Sequence, residues 1–234
     1  MLVLETTQNP DIRKNDIQNI KILLRRDRHE IPSVVADASD NIKEQIRHRI
    51  SGIIGADSFA LEQVYALGDK KYLGVNGKVD IIHLGLINRD RISQIDSDYE
   101  LVNISIQNNE IKIGGDVYKY RTNEKIAYAV EYSFETNASD IDTDKTLVEI
   151  LCAWKHLRNR VEYTDTILKF MPNEFTLETT RQVYEIISGR HVDKSNFHKK
   201  IIKYCTEIPN KTTCRGHRPG KIYTYNAKTG DSWL

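Results

Sequence analysis

The residues best suited to chemistry in this sequence are the cations of the segment 193–221. This segment has eight Lys and Arg residues against two Asp and Glu residues, a net charge of +6. The whole chain of 234 residues has a net charge of only +1. A local basic surface on a nearly neutral protein is typical of a binding site for a polyanion such as DNA. An ordinary solvated basic surface is the alternative.

The elements around these cations have an order that suits DNA recognition. The apolar spacing predicts a helix at 164–170, a second helix capped by Thr176 and ended by Gly189, and a third helix at 194–205. The residues Glu207-Ile208-Pro209, a basic loop to Gly220 and a strand at 221–225 follow. A helix with a polar face can enter the major groove, and a basic hairpin after it can contact phosphates. This is the order of a winged helix-turn-helix.

We expect the third helix to be amphipathic, with its polar face and the basic loop bound to DNA. Its inward side chains are expected to be Phe197, Ile201, Ile202 and Tyr204. The candidate DNA contacts are Thr176, Lys194, Ser195, Asn196, His198, Lys199, Lys203, Arg215, His217, Arg218 and Lys221. In the first turn, Ser195 and Asn196 are expected to reach base edges, since an Asn can pair bidentately with adenine. Arg215, Arg218 and Lys199 are better suited to phosphates or the minor groove, where charge dominates.

The cysteines predict neither a disulfide framework nor a metal site. There are three, Cys152, Cys205 and Cys214, without a CxxC pair, which fits a reducing compartment. Cys205 and Cys214 with His198 and His217 form a conceivable zinc set, but their spacings match no common zinc pattern. No apolar run approaches the length of a membrane span, and Met1–Arg13 lacks the basic and apolar regions of a signal peptide. We therefore expect a cytoplasmic protein.

The rest of the chain predicts one larger domain, so that the domains are 1–159 and 160–234. Isoleucines at 42, 46, 50, 53 and 54 indicate a helix capped by Ser39 or Asp40 and ended by Gly55. Strands are expected at 17–24, 60–66, 79–87, 104–106, 111–113, 117–120 and 126–134. A helix at 142–159 has Leu147, Ile150, Leu151, Trp154 and Leu157 along one face. Trp154 is expected in the core or in a dimer contact.

Two segments of the C-terminal region resemble the Nudix-related transcriptional regulators, an NrtR-like family. They are FMPNEFTLETTRQVYEIISGRHVDKSNFHKKI (Phe170–Ile201) and RGHRPGKIYTY (Arg215–Tyr225). The resemblance implies an α+β protein, in which a Nudix-like mixed sheet with flanking helices precedes the winged helix-turn-helix. The N-terminal half agrees with it from Ile31-Pro32 through Gly55 to LEQVYALGD (Leu61–Asp69).

The Nudix box of this chain lacks the residues of its chemistry. Nudix hydrolysis needs Arg-Glu-x-x-Glu-Glu, whose glutamates hold magnesium ions on a diphosphate. The six positions are His48, Arg49, Ile50, Ser51, Gly52 and Ile53. Asp40 replaces the upstream glutamate, and Asp37, Asp40 and Glu44 are the other carboxylates of the region. We therefore expect no catalytic residue, no metal, no cofactor and no enzymatic activity.

A small effector, of nucleotide or sugar type, is what the resemblance implies for the N-terminal domain. Arg47, His48 and Arg49 are candidate effector-binding residues, because they could hold an anion directly. The alternative is a helix that serves packing or dimer contacts. Tyr118, Tyr120, Tyr128 and Tyr132 are expected to pack on a sheet face or to line an effector pocket.

We interpret the chain as a sequence-specific regulator of transcription. It is expected to bind double-stranded operator DNA as a homodimer and to act as a repressor, with no membrane partner. Two-fold symmetry of the protein would match an inverted repeat in the operator. The alternatives are a divergent Nudix hydrolase of a nucleoside diphosphate derivative, which needs a metal site, and a protein-binding adaptor, which does not need the basic wing.

Overall fold

The chain has an α+β fold, in which a large mixed sheet with flanking helices is followed by a smaller helical region with a hairpin. The computed structural model describes residues 1–5, 19–36, 41–68, 79–126, 129–135, 141–213 and 219–226. Within these ranges no helix is long and apolar enough to cross a membrane.

Eight strands form the large sheet, and two more form the hairpin. The strands are β1 (Leu2–Glu5), β2 (Asn19–Arg25), β3 (Ala60–Leu67), β4 (Asp80–Asn88), β5 (Tyr99–Gln107), β6 (Glu110–Ile113), β7 (Asp116–Ile126), β8 (Ala129–Glu135), β9 (Cys205–Thr212) and β10 (Lys221–Tyr225). The large sheet has the order β3-β4-β1-β2-β5-β6-β7-β8. Only the β1–β4 pairing, with Leu2 opposite Leu86, is parallel among the described strands. Most of the expected strands are confirmed. The strand expected at 126–134 corresponds to β8, since Ile126 is the end of β7, and the sequence predicted neither β1 nor β9.

Four α-helices accompany the strands of the described chain. They are α1 (Ile42–Ile54), α2 (Ile141–Tyr163), α3 (Leu177–Ser188) and α4 (Lys194–Ile201). The expected helix at 164–170 is a 3-10 turn over Thr166–Phe170. The third helix of the C-terminal region ends at Ile201, and a 3-10 turn over Ile202–Tyr204 leads directly into β9.

Helix α1 is amphipathic, as its isoleucine spacing predicts. Ile50, Ile53 and Ile54 are buried. The helix ends at Gly55, whose φ of 60° lies in the left-handed region that favours glycine. Its N-cap is Asn41, whose side chain accepts from the backbone N–H groups of Lys43 and Glu44. The expected caps Ser39 and Asp40 lie outside the described residues.

Helix α2 connects the two regions of the chain. Its apolar face, Leu147, Ile150, Leu151, Trp154 and Leu157, is buried as expected. Beside this face, the Glu62 carboxylate of β3 pairs with His156 and Arg160, both at 3.2 Å. One core cluster extends from the large sheet through α2 to Phe197 and Tyr223. Because α2 continues through 159/160, the division into 1–159 and 160–234 stays a prediction.

Candidate nucleic-acid interface

The turn between α3 and α4 is fixed by carboxylates. Glu185 of α3 accepts a hydrogen bond from the backbone N–H of Val192 at 3.0 Å. Gly189 ends α3 with a φ of 72°. Asp193 caps α4 by accepting from the backbone N–H of Asn196 at 2.8 Å. A left-handed glycine and a side-chain cap are the signals that the sequence predicted at these two positions.

Helix α4 has one buried side and one solvent-facing side. Phe197 and Ile201 are buried, and the Phe197 ring lies 5.3 Å from that of Tyr184. The exposed side chains of α4 and the turn after it include Lys194, Ser195, Asn196, Lys199 and Lys203. Ile202 was expected to face inward but is 45% exposed, because the helix has already ended. Five candidate DNA contacts are therefore exposed side chains of α4 and the turn after it, and we call this set of residues the α4 face.

Acidic neighbours compensate part of the basic charge. Lys194 pairs with Glu178 of α3 at 3.3 Å. Lys221 pairs with Glu207 across the hairpin at 2.8 Å, and this hydrogen bond raises the pKa of Lys221. Lys199 and Lys203 have no ion-pair partner in the described part of the chain, although Lys203 lies 4.8 Å from the centre of the Tyr204 ring. Lys199 and Lys203 are therefore the better-placed cations for phosphate contacts.

Two other candidate contacts are partly occupied by the fold. The Thr176 hydroxyl oxygen caps α3 by accepting from the backbone N–H of Thr179 at 3.0 Å. His198 is half-buried, and its Nε2 atom is buried without a hydrogen-bond partner among the described residues. Burial and the nearby Lys194 lower the pKa of His198. DNA contacts by Thr176 and His198 stay predictions.

The β9–β10 hairpin is the wing of the motif. Tyr223 of β10 exchanges two backbone hydrogen bonds with Phe175 just before α3, at 2.8 and 3.0 Å. The Tyr225 hydroxyl donates to Asp165 at 2.6 Å. These bonds fix the wing to the helices. Strand β9 covers 205–212, where the sequence predicted no strand and a loop from Asn210, so the loop begins later than expected. Pro209 is accommodated in a two-stranded ribbon, where an edge position needs no N–H donor.

Several of the sequence-based candidates belong to the segment between β9 and β10. Arg215, His217 and Arg218, together with Cys214, lie outside the described residues. At the ends of this segment, the N–H of Thr213 donates to the carbonyl of Gly220 at 2.9 Å. Cys205 is half-buried, and burial raises the pKa of its thiol to about 11. No group of metal-ligating side chains is found within the described ranges.

The three candidate effector-binding residues of α1 have different environments. The Arg47 guanidinium donates to the carbonyl of Phe59 at 3.0 Å and lies over its ring. His48 is exposed. The Arg49 guanidinium donates to the Tyr99 hydroxyl at 3.0 Å. Both arginines therefore join α1 to its neighbours, and their role in effector binding stays a prediction.

A cavity of about 720 Å³ lies between α1, β4, α2 and the segment 30–36. Of the three α1 candidates, only Arg49 lines it. Its charged lining also includes Asp80, Lys145 and Glu149, which sequence reasoning missed. Glu149 is 7% exposed, and burial raises the pKa of its carboxyl to about 7. A signal was available, since Glu149 lies between buried apolar residues of the predicted helix. Of the candidate tyrosines, Tyr128 lies outside the described residues, and none of the others lines the cavity. Tyr120 and Tyr132 pack edge to face.

Comparisons with known proteins agree with this architecture. Residues 167–225 match the model of the NrtR DNA-binding winged helix domain. The chain is 26% identical over 172 residues to the ADPR responsive transcriptional repressor NtrR of Acinetobacter baylyi. That match covers 73% of this chain and 58% of the relative, so the chain spans less than two thirds of that protein.

Solved structures with the same fold extend over nearly the whole chain. A MutT/nudix family protein from Enterococcus faecalis has a TM-score of 0.63 at 15% identity, covering 96% of this chain and 86% of that one. Shewanella oneidensis NrtR has a TM-score of 0.60 at 14% identity, covering 98% and 95%. The same protein complexed with a 27mer DNA has a TM-score of 0.60 at 15% identity, covering 98% and 94%. The chain thus has a Nudix-like fold, and its residues 167–225 match the NrtR DNA-binding winged helix domain.

Proposed function

We propose that this chain is a sequence-specific DNA-binding regulator that represses transcription in the cytoplasm. The observation that carries the proposal is the α4 face, whose exposed polar residues project from a helix held by Phe197 and Ile201. A helix of this kind fits the major groove, and its first turn is the part nearest the base edges. The match of residues 167–225 to a DNA-binding winged helix domain supports the same function.

The Nudix-like half serves as an effector-sensing and dimerisation domain without hydrolysing its ligand. The three glutamate positions of the box are Arg49, Gly52 and Ile53, none of which has a carboxylate. Ile53 is buried in the core, where a metal-binding carboxylate would be costly. Glu44 is exposed and lies 4.0 Å from Arg47. Asp37 and Asp40 lie outside the described residues. The name of the Acinetobacter relative, an ADPR responsive repressor, supports a small-molecule effector for this half.

Selection from a random duplex DNA library with the full chain tests the proposal. We expect enrichment of one motif, arranged as an inverted repeat whose half-sites lie about one helical turn apart if the protein acts as a homodimer. The variant Asn196→Ala should weaken enrichment of that motif while leaving weak binding to random DNA. Binding without any sequence enrichment would contradict the regulator function.

The homodimer is tested separately by light scattering of the free protein and of its operator complex. Two protomers per operator are expected, because each winged helix would bind one half-site. A complex with one protomer, on an operator whose selected motif is a single half-site, would contradict the homodimer. The DNA-binding function would still hold.

A further inference from the structure

The cavity between α1 and α2 has the size of a ligand site and a largely apolar wall. Its volume of about 720 Å³ is within the usual range for small-molecule sites. Apolar side chains from four elements contribute to its lining, among them Ile31, Ile46, Ile50, Leu61 and Ile82. Such a wall favours a ligand with an apolar body.

The charged groups of the cavity do not favour an anion. Lys145 lies 2.6 Å from the Asp80 carboxylate and 3.8 Å from that of Glu149, so Asp80 is its closer partner. Arg49, another described cation of the lining, is bonded to the Tyr99 hydroxyl. Glu30 adds a third carboxylate to the lining. The Glu149 carboxyl, over nine-tenths buried, is therefore only weakly compensated.

The Trp154 indole N–H lies beside Glu149 and is unsatisfied within the described ranges. A small space of about 30 Å³, which is enough for one water molecule, is lined by both Glu149 and Trp154. Trp154 is 3% exposed, and its indole N–H has no acceptor among the described residues. Buried polar groups are nearly always hydrogen-bonded, so the indole N–H indicates that a hydrogen-bond acceptor such as a water molecule belongs in this small space, beside the ligand cavity.

We propose that this cavity binds a small organic amine, whose ammonium group pairs with the Glu149 carboxylate while its apolar body fills the space beside α1. A cation next to Glu149 replaces the water that burial has removed from this carboxylate. A nucleoside diphosphate would instead meet Glu30, Asp80 and Glu149, with no described metal-ligating cluster to bridge them. Binding of the amine in the cavity does not depend on the proposed function. An effect of the amine on DNA binding does depend on it.

Three probes of nearly equal size and different charge test the ligand class on the full chain. Calorimetry with 2-phenylethylamine, 2-phenylethanol and 3-phenylpropanoate at pH 8 should give the order amine, alcohol, carboxylate. We expect the amine to bind at least about tenfold more tightly than the alcohol, since one good charge-assisted contact has that magnitude. ADP-ribose is the fourth probe.

Two matched variants assign the effect to Glu149. Glu149→Gln should lower amine affinity by about tenfold or more and leave alcohol affinity nearly unchanged, which also reports that the cavity is intact. Glu44→Gln, on the exposed side of α1, should leave all affinities unchanged. No amine binding, an equal response of both variants, or tighter binding of ADP-ribose or the carboxylate would overturn the proposal. The DNA affinity of the full chain, measured without any of the four compounds, tests the proposed function independently.

Discussion

The Asp193 carboxylate accepts a hydrogen bond from the backbone N–H of Asn196 at 2.8 Å, so the cap of α4 does not use the Asn196 side chain. That side chain is exposed in the first turn of the helix. The two neighbours therefore have separable roles, because Asp193 stabilises the helix end and Asn196 is available for a base. Substitutions at these two positions can be compared directly.

Asn196→Ala should cost roughly 1–3 kcal/mol of binding free energy on the operator and much less on random DNA. Its melting temperature should stay close to that of the unsubstituted protein, because the backbone N–H that Asp193 binds is still present. Asp193→Ala is the matched comparison: it should lower the free energy of unfolding by about 0.5–2 kcal/mol and weaken binding to all DNA alike. Fluorescence anisotropy on both DNAs, with thermal melts, measures each quantity. An unchanged ratio of operator to random-DNA affinity in folded Asn196→Ala would reject a base contact.

Lys199→Ala should reduce the slope of log affinity against log salt by about one unit, as expected for the loss of one phosphate contact. Lys221→Ala should change the slope less, because Glu207 already pairs with Lys221 at 2.8 Å. Titrations between low and physiological salt measure both slopes. Equal slopes for the two variants would show that the Glu207 pair opens on DNA, and an unchanged slope for Lys199→Ala would remove it from the interface.

The full chain should not hydrolyse ADP-ribose or other nucleoside diphosphate derivatives with added magnesium or manganese. His48–Ile53 of α1 contains none of the glutamates that hold such metals. Release of phosphate-containing products, followed by chromatography, is the measurement. Turnover that requires metal and is lost in Glu44→Gln would identify a metal-binding carboxylate outside the six positions of the Nudix box.

Glu149 should make the protein less stable as pH rises from about 4.5 to about 7. Burial raises the pKa of this carboxyl from its ordinary 4.5 to about 7, while Lys145 opposes the shift and Asp80 and Glu30 add to it. In that interval the folded state binds the proton that the unfolded state releases, so the free energy of unfolding falls with pH and then levels off.

In the unsubstituted protein, this loss of unfolding free energy should amount to roughly 1–3 kcal/mol between pH 5 and pH 8. Glu149→Gln should remove it. Denaturant unfolding at both pH values measures the difference. Glu44→Gln is the control and should follow the unsubstituted protein at both pH values, because Glu44 is exposed. A Glu149→Gln variant that loses stability with pH in parallel with the unsubstituted protein would contradict a raised pKa.

Local signals in the sequence determined many of the helices, caps and strands of this protein. Isoleucines of α1 at helical spacing, the glycines 55 and 189, and the Asp193 cap act within one turn of chain, so they could be recognised without the fold. The strands β3 and β4 and the buried face of α2 were likewise predicted from apolar patterns. The winged helix followed from residue types at short separations, and residues 167–225 match the NrtR DNA-binding domain.

The tertiary structure decided which charges are compensated and where a ligand could fit. Lys194 meets Glu178, and Lys221 meets Glu207, only because α3 packs on α4 and β9 pairs with β10. The end of α4 at Ile201, which leaves Ile202 exposed, depends on where β9 begins. The cavity joins Glu149 of α2 to Asp80 of β4, which are far apart in the chain. Distances of this kind arise from packing, which sequence periodicity does not encode.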